Sequence, residues 1–241
     1  MKRCANRLRI WNRRSGKILK FTQTEDGIKN GIVNANNEKS GLLVVISAPS
    51  GTGKTSVLSE VLKRHPDIMF SVSVTTRKQR TGEQDGINYY FVSEEKFDYH
   101  INNDDFAEWA VVHGKRYGTL MSTICEGLDN YWTILLDTDT GGAFNIKKRY
   151  PDAVLIFLIP PSPEVLKERL KYRNTESSDR IKKRLEAAPL EIAQMGDYDY
   201  IVLNDDLSVA ASKVSAVIEA ERLRSERLLP TLSTWKEYLD G

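Results

Sequence analysis

Apolar positions along the chain fall into short continuous runs separated by longer amphipathic stretches. Leu42–Ser47 is an apolar, β-branched run bounded by Gly41 and Pro49, the pattern of a strand buried on both faces. Residues 54–64 follow with Val57, Leu58, Val61 and Leu62 on one helical face, and the pattern stops ahead of Pro66. Residues 134–137, 154–159 and 200–203 are further strand-type runs. Helical patterns cover 163–173, 178–191 and 208–224, the last with Val209, Val214, Val217 and Ile218 as its apolar stripe. Strands alternating with helices predict an α/β fold: a parallel sheet core flanked by helices.

Residues 70–125 break this pattern. They are richer in Gly, Tyr, Thr and charge, with alternating runs at 70–74 and 89–92. This reads as a small mixed insertion that binds a substrate. The N-terminus differs again. Lys2, Arg3, Arg7, Arg9, Arg13, Arg14, Lys17 and Lys20 all precede the first acidic residue, Glu25, and a turn-rich polar stretch runs on to Gly41. Residues 1–40 are therefore expected to be a basic, flexible leader with no secretory h-region. The tail, 226–241, carries Trp235 and Tyr238, which are expected to pack against the core.

The 241 residues are 40% hydrophobic and 28% charged, enough for one substantial core with small appended subdomains. The net charge of +2 argues against a nucleic-acid coat, and nucleic acid is a possible partner only through the basic leader. Cys4 and Cys125 have no metal-ligand spacing, and His65, His100 and His113 form no cluster. No apolar run is long enough to cross a membrane. A cytoplasmic protein is expected, a monomer or homodimer with no obligatory protein partner.

Residues 48–55, Ala48-Pro49-Ser50-Gly51-Thr52-Gly53-Lys54-Thr55, match the phosphate-loop pattern apart from Ala48 at its first glycine. Gly51 and Gly53 allow the backbone to curl so that successive N–H groups face phosphate oxygens, and the following helix N-terminus adds partial positive charge. Lys54 suits the β- and γ-phosphates of ATP, and the Thr55 hydroxyl suits Mg2+. Asp137 ends an apolar strand and is the second candidate metal ligand. Asp139 lies two residues on and projects to the same side if the strand continues. In the insertion, Arg77, Arg80 and Tyr89 are suited to clamp a phosphate dianion.

The chain resembles guanylate kinase, a P-loop nucleoside monophosphate kinase family, over residues 41–224. The motifs S-A-P-S-G-T-G-K-T, S-V-S-V-T-T-R, R-T-G-E, F-A-E-W, Y-G-T, L-L-D-T-D, F-L-I-P-P-S and V-L-N-D-D-L occur in the family's order. The resemblance implies Mg2+-dependent transfer of a phosphoryl group from ATP to GMP. It implies a core at 41–69, 126–163 and 186–225, a GMP-binding subdomain at 70–125 and a helical lid at 164–185. Arg77, Arg80, Tyr89 and Tyr117 would hold the GMP phosphate, and Ser73, Glu108, Thr119 and Asp139 would read guanine, with Ser73 and Thr119 donating to O6. Guanine offers two donors, N1–H and the 2-amino group, to a carboxylate; adenine offers neither and would leave it unpaired. Arg169, Arg173 and Arg184 would close over the transferring group, and Asn204 would lie near the ATP base or lid hinge. The chain departs from the family's usual pattern at Gly141, Lys115-Arg116, Asn174 and Lys78-Gln79.

Two rivals stand beside this reading. Scaffold domains of this fold bind peptides after losing phosphate-loop and arginine groups, but Lys54, Thr55, Arg77, Arg80 and Asp137 are all present here. A kinase for another nucleoside monophosphate is opposed by Glu108 and Asp139 together.

Overall fold

In the computed structural model, the described residues are 7–12, 17–24, 27–31, 41–112, 114–130, 133–171, 178–229, 232, 234–235 and 238. His113 and Arg173 lie outside them. The chain divides into two units, one of residues 1–40 with 225–241, the other of residues 41–224. In the first unit, β1 (Arg7–Asn12), β2 (Lys17–Thr24) and β3 (Gly27–Gly31) form an antiparallel three-stranded sheet in the order β1-β2-β3. A leader without regular structure was the expectation. The overlooked signal is period-two alternation, Arg7 and Arg9 alternating with Leu8 and Ile10. In the tail, Trp235 and Tyr238 were expected to be buried but stand 65% and 77% exposed, their rings edge-on 6.2 Å apart.

The second unit opens with β4 (Leu42–Ser47), the phosphate loop and α1 (Lys54–Arg64), followed by β5 (Ile68–Phe70). The insertion contributes β6 (Val74–Thr75), β7 (Tyr90–Phe91), α2 (Glu94–Asn102), β8 (Phe106–Val112) and β9 (Lys115–Leu120). The chain returns through α3 (Met121–Asn130), β10 (Thr133–Asp137), α4 (Thr140–Arg149) and β11 (Val154–Ile159). It continues with α5 (Pro163–Lys171), α6 (Ser178–Ala193), β12 (Tyr200–Leu203) and α7 (Leu207–Arg222).

All neighbours in the five-stranded sheet β12-β11-β4-β10-β5 are parallel. Alternation along β4 divides the core in two, because successive side chains of a strand point to opposite faces. Leu42, Val44 and Ile46 pack with Val57 and Val61 of α1 and Val214 and Ile218 of α7. Leu43 and Val45 pack on the other face with Ile124 of α3 and Ala143 and Ile146 of α4. Truncating a side chain such as Ile46, fully buried, would cost about 2–5 kcal/mol. The register then places the chemistry. Asp137 at the end of β10 pairs with Ile46, so its carboxylate sits beside the start of the phosphate loop.

The insertion is a four-stranded mixed sheet, β7-β6-β9-β8, with α2 packed on it through Phe97 against Val74 and Phe106. Arg116, one of the departures, ties β9 to α2. Its guanidinium meets Glu94 at 2.6 Å and Asp98 at 2.5 Å and lies over the Phe97 ring. The departure is thus absorbed as a surface ion-pair cluster remote from the base pocket.

Candidate active site

The donor cradle is built from backbone. Gly51 (φ 90°) and Gly53 (φ 93°) adopt left-handed conformations that an L side chain resists, and Gly53 caps α1. A Cβ on Gly53 would also lie 2.9 Å from the Asn204 amide nitrogen. That amide donates to the Thr52 carbonyl at 2.7 Å, so buried Asn204 pins the outer side of the loop. Arg169 adds bonds to the carbonyls of Thr52 and Asn204, each 3.1 Å. Arg184 donates to the Ser50 hydroxyl at 2.7 Å. Two of the three lid arginines therefore converge on the phosphate loop, and Leu170 of α5 covers Gly51.

Lys54 is fixed from the neighbouring strand. Its ammonium donates to the Thr138 carbonyl at 2.9 Å and pairs with the Asp137 carboxylate. Thr55 beside it, in the first turn of α1, is exposed. Asp137 and Thr55 are hard oxygen donors of the kind Mg2+ accepts. No group of three or more His, Cys, Asp or Glu capable of holding a metal occurs among the described residues.

The acceptor pocket is built from side chains. A β-bulge between Phe106 and Glu108 re-aims three consecutive residues. Phe106 turns to the insertion's core, Ala107 to the main core, and Glu108 to a buried site opposite Thr119. The Thr119 hydroxyl donates to the Glu108 carboxylate at 2.8 Å. The resemblance implies that this hydroxyl donates to guanine O6; here it donates to Glu108. Burial pushes the Glu108 carboxyl up to about 7, and the nearby Asp139 charge adds to this, while hydrogen bonds from Thr119 and Thr138 pull the other way. Gly142 allows the approach: a Cβ there would lie 2.8 Å from a Glu108 oxygen and 2.1 Å from the Thr138 hydroxyl.

Asp139 is not on a strand. The strand ends at Asp137, and Asp139 caps α4, accepting from the Gly142 N–H at 2.7 Å. An Asp ahead of Thr140-Gly141-Gly142 favours a cap over strand continuation, because its side chain competes for the backbone N–H groups ahead. One carboxylate oxygen is thereby committed to the helix, and the residue still lies against Glu108.

Arg77 is held by a residue the sequence reading left without a role. Glu83 accepts both guanidinium N–H groups of Arg77, at 2.8 and 3.0 Å, and also the Arg80 backbone N–H at 2.8 Å. The Arg77 hydrogen bonds hold Glu83 below the usual carboxylate range. Arg77 lies 5.2 Å from the Tyr89 ring centre, and Tyr89 packs edge-on to Tyr117 at 5.8 Å. Burial, reinforced by the Asp137 charge, pushes Tyr89 up to about 12, so it remains a neutral donor. Arg77, Tyr89 and Tyr117 thus come together, Arg80 stands exposed on the adjoining turn, and Ser73 is half-buried at the start of β6. The Arg-x-x-x-x-x-Glu spacing was legible, but not that the turn at Gly82 folds Glu83 back onto Arg77.

Thr138 stands between the two halves: its carbonyl holds Lys54, and its hydroxyl helps to stabilise the charged form of Glu108. The profile of the family described as Guanylate kinase matches residues 40–221. The chain belongs to the guanylate kinase family. It is 44% identical over 188 residues to the guanylate kinase of Carboxydothermus hydrogenoformans, spanning 78% of this chain and 92% of that one. The Geobacter metallireducens guanylate kinase is 43% identical over 196 residues, 81% of this chain and 97% of its own. The crystal structure of guanylate kinase from Anaplasma phagocytophilum superposes with a TM-score of 0.65 at 32% identity, covering 80% of this chain and 92% of that chain. Its α/β fold, a parallel sheet flanked by helices, is that of the family, and no described helix is long and apolar enough to cross a membrane.

Proposed function

We infer that this guanylate kinase family member transfers the γ-phosphoryl group of ATP to GMP, giving ADP and GDP, in the cytoplasm as part of purine nucleotide recycling. The observation that carries the reading is Thr138, which links the cation of the donor cradle to the buried carboxylate of the acceptor pocket. A binding module needs no such link between two sites.

The residues divide the work. Loop N–H groups of 48–55 and Lys54 hold the triphosphate, whose negative charge replaces Asp137 as the ammonium's principal partner. Thr55 and Asp137 would hold Mg2+, which when bound supplies charge neutralisation at the phosphates. Arg77, fixed by Glu83, works with Arg80 and the phenols of Tyr89 and Tyr117 to orient the GMP phosphate as nucleophile. Glu108 accepts from guanine N1–H and the 2-amino group, assisted by the free oxygen of Asp139 and by Ser73. Arg169, Arg173 and Arg184 neutralise charge developing on the transferring group as the lid closes. A phosphate dianion is already a competent nucleophile, so no general base is required.

A coupled assay with ATP, Mg2+ and each of the four common nucleoside monophosphates tests this. GDP formation from GMP, with the other three turned over far more slowly, is expected. No GDP, or preferred turnover of AMP or UMP, overturns it.

A further inference from the structure

Thr75 lies outside the machinery described above, yet three of the groups that would hold the acceptor phosphate are anchored beside it. It is the last residue of β6 and fully buried. Its hydroxyl donates to the Arg116 carbonyl at 2.9 Å and accepts from the Arg77 backbone N–H at 3.1 Å. Its own carbonyl accepts from the Val92 N–H at 2.9 Å. Arg116 immediately precedes Tyr117, and Val92 directly follows β7, which begins next to Tyr89. A single residue therefore ties together the backbone of Arg77, the strand beside Tyr89 and the strand carrying Tyr117.

Thr76 completes the clasp. Its N–H donates to the same Arg116 carbonyl at 3.1 Å, and its hydroxyl accepts from the Arg116 N–H at 3.1 Å. The two threonines thus carry the contact between β6 and β9 past their last strand pair, Thr75 with Tyr117, to the point where the chain turns off through Arg77. Valine has the same shape and a similar strand preference, and a hydroxyl without partners is costly in so buried a place. Both partners of the Thr75 hydroxyl are backbone groups of the phosphate clamp, one on either side. Glu83 fixes the guanidinium end of Arg77, and Thr75 fixes its backbone end.

We propose that Thr75 is a positioning residue of the acceptor-phosphate clamp: it sets the Arg77 backbone against Tyr117 and Tyr89 so that the guanidinium and the two phenols converge on one phosphate. It acts through Arg77 and not on the substrate. Removing its hydroxyl strips the Arg77 N–H of its acceptor and frees the turn that begins there to move against β9. The base pocket keeps its own support, the Thr119 hydrogen bond to Glu108 and the close approach of Gly142. The loss therefore falls on the phosphate and not on the base.

The inference rests on the kinase reading above, because the phosphate it concerns is that of GMP. Calorimetric binding of GMP and of guanosine, which has the base and lacks the phosphate, is compared for wild type and Thr75→Val, with thermal midpoints alongside. Thr75→Val is expected to weaken GMP about fivefold to tenfold and to leave guanosine within about twofold. Thr75→Ser and Thr75→Ala form a second pair that differ only in the hydroxyl, so the comparison stands even where Thr75→Val does not fold. Thr75→Ser loses a buried methyl and should lower the thermal midpoint while binding GMP within about twofold of wild type. Thr75→Ala should repeat the loss seen with Thr75→Val. Unchanged GMP binding in Thr75→Val or Thr75→Ala overturns the proposal. So does equal weakening of GMP and guanosine, or GMP affinity that follows the thermal midpoint across the set whether or not the hydroxyl is present. Absence of GDP formation by wild type would instead refute the kinase reading, while the binding comparison still decides Thr75.

Discussion

The donor cradle and the acceptor pocket hold nucleotides by opposite means. The cradle spans eight consecutive residues, and its geometry comes from two left-handed glycines and a helix start. Side chains from distant elements brace it: Asn204, Arg169 and Arg184 bond Thr52 and Ser50 of the loop. The acceptor pocket has no such local frame. Glu108, Thr119, Thr138, Asp139 and Gly142 come from β8, β9 and the β10–α4 turn and meet only in the folded chain. A backbone cradle suits phosphates, which every nucleotide carries. A side-chain pocket suits a base, which must be told from others by its donors and acceptors. The comparison predicts that cradle changes cost rate for all substrates, whereas pocket changes cost the choice of base.

The strongest break is Lys54→Ala. Loss of the only loop ammonium should lower kcat by about 10³-fold or more for any acceptor, with the circular dichroism spectrum retained. A loss confined to GMP would contradict the division. Next is Glu108→Ala, which should reduce the preference for GMP over AMP by about 10²-fold, read as the ratio of kcat/KM values, while kcat with saturating GMP changes little. Gly142→Ala tests the same pocket without touching a polar group. The added methyl cannot fit 2.1 Å from the Thr138 hydroxyl, so Glu108 must shift, and KM for GMP should rise about tenfold with KM for ATP unaffected.

Glu83→Gln is smaller in effect. It keeps one acceptor for Arg77 and loses the charge, so KM for GMP should rise about threefold to fivefold. The gentlest probe is pH. Glu108 must be ionised to accept two guanine donors, and its carboxyl titrates near about 7, so KM for GMP should climb as pH falls through that value. The stability sign runs the other way. The folded protein holds this proton more tightly than the unfolded chain, so the contribution is present below the unfolded value of 4.5 and is lost as pH rises through about 7. Glu108→Gln should therefore raise the thermal midpoint at pH 8 relative to wild type and have little effect at pH 5. A flat KM profile between pH 6 and 8 would show that Glu108 is not the base-reading acceptor.

The local chemistry of residues 41–64 was fully legible. Strand, loop and helix are contiguous there, and each residue's role follows from its neighbours: β-branched residues for a buried strand, glycine for positive φ, Lys and Thr at the helix start. The strands at 154–159 and 200–203 were equally plain, since strands of a parallel sheet covered on both faces must be continuously apolar. Residue types in the acceptor pocket were legible through family resemblance, but their partnerships were not. Thr119 serving Glu108, Glu83 orienting Arg77 and Asp139 capping α4 depend on a bulge, a turn and a strand end that shift register by a single residue, and periodicity cannot resolve one residue. Sequence by itself determined the strand, glycine loop and helix of residues 42–64 and the strands at 154–159 and 200–203, because those depend on neighbours along the chain. Tertiary structure alone decided how Glu108 is partnered and what braces the loop, because contacts such as Thr119–Glu108 and Asn204–Thr52 join residues 11 and 152 positions apart.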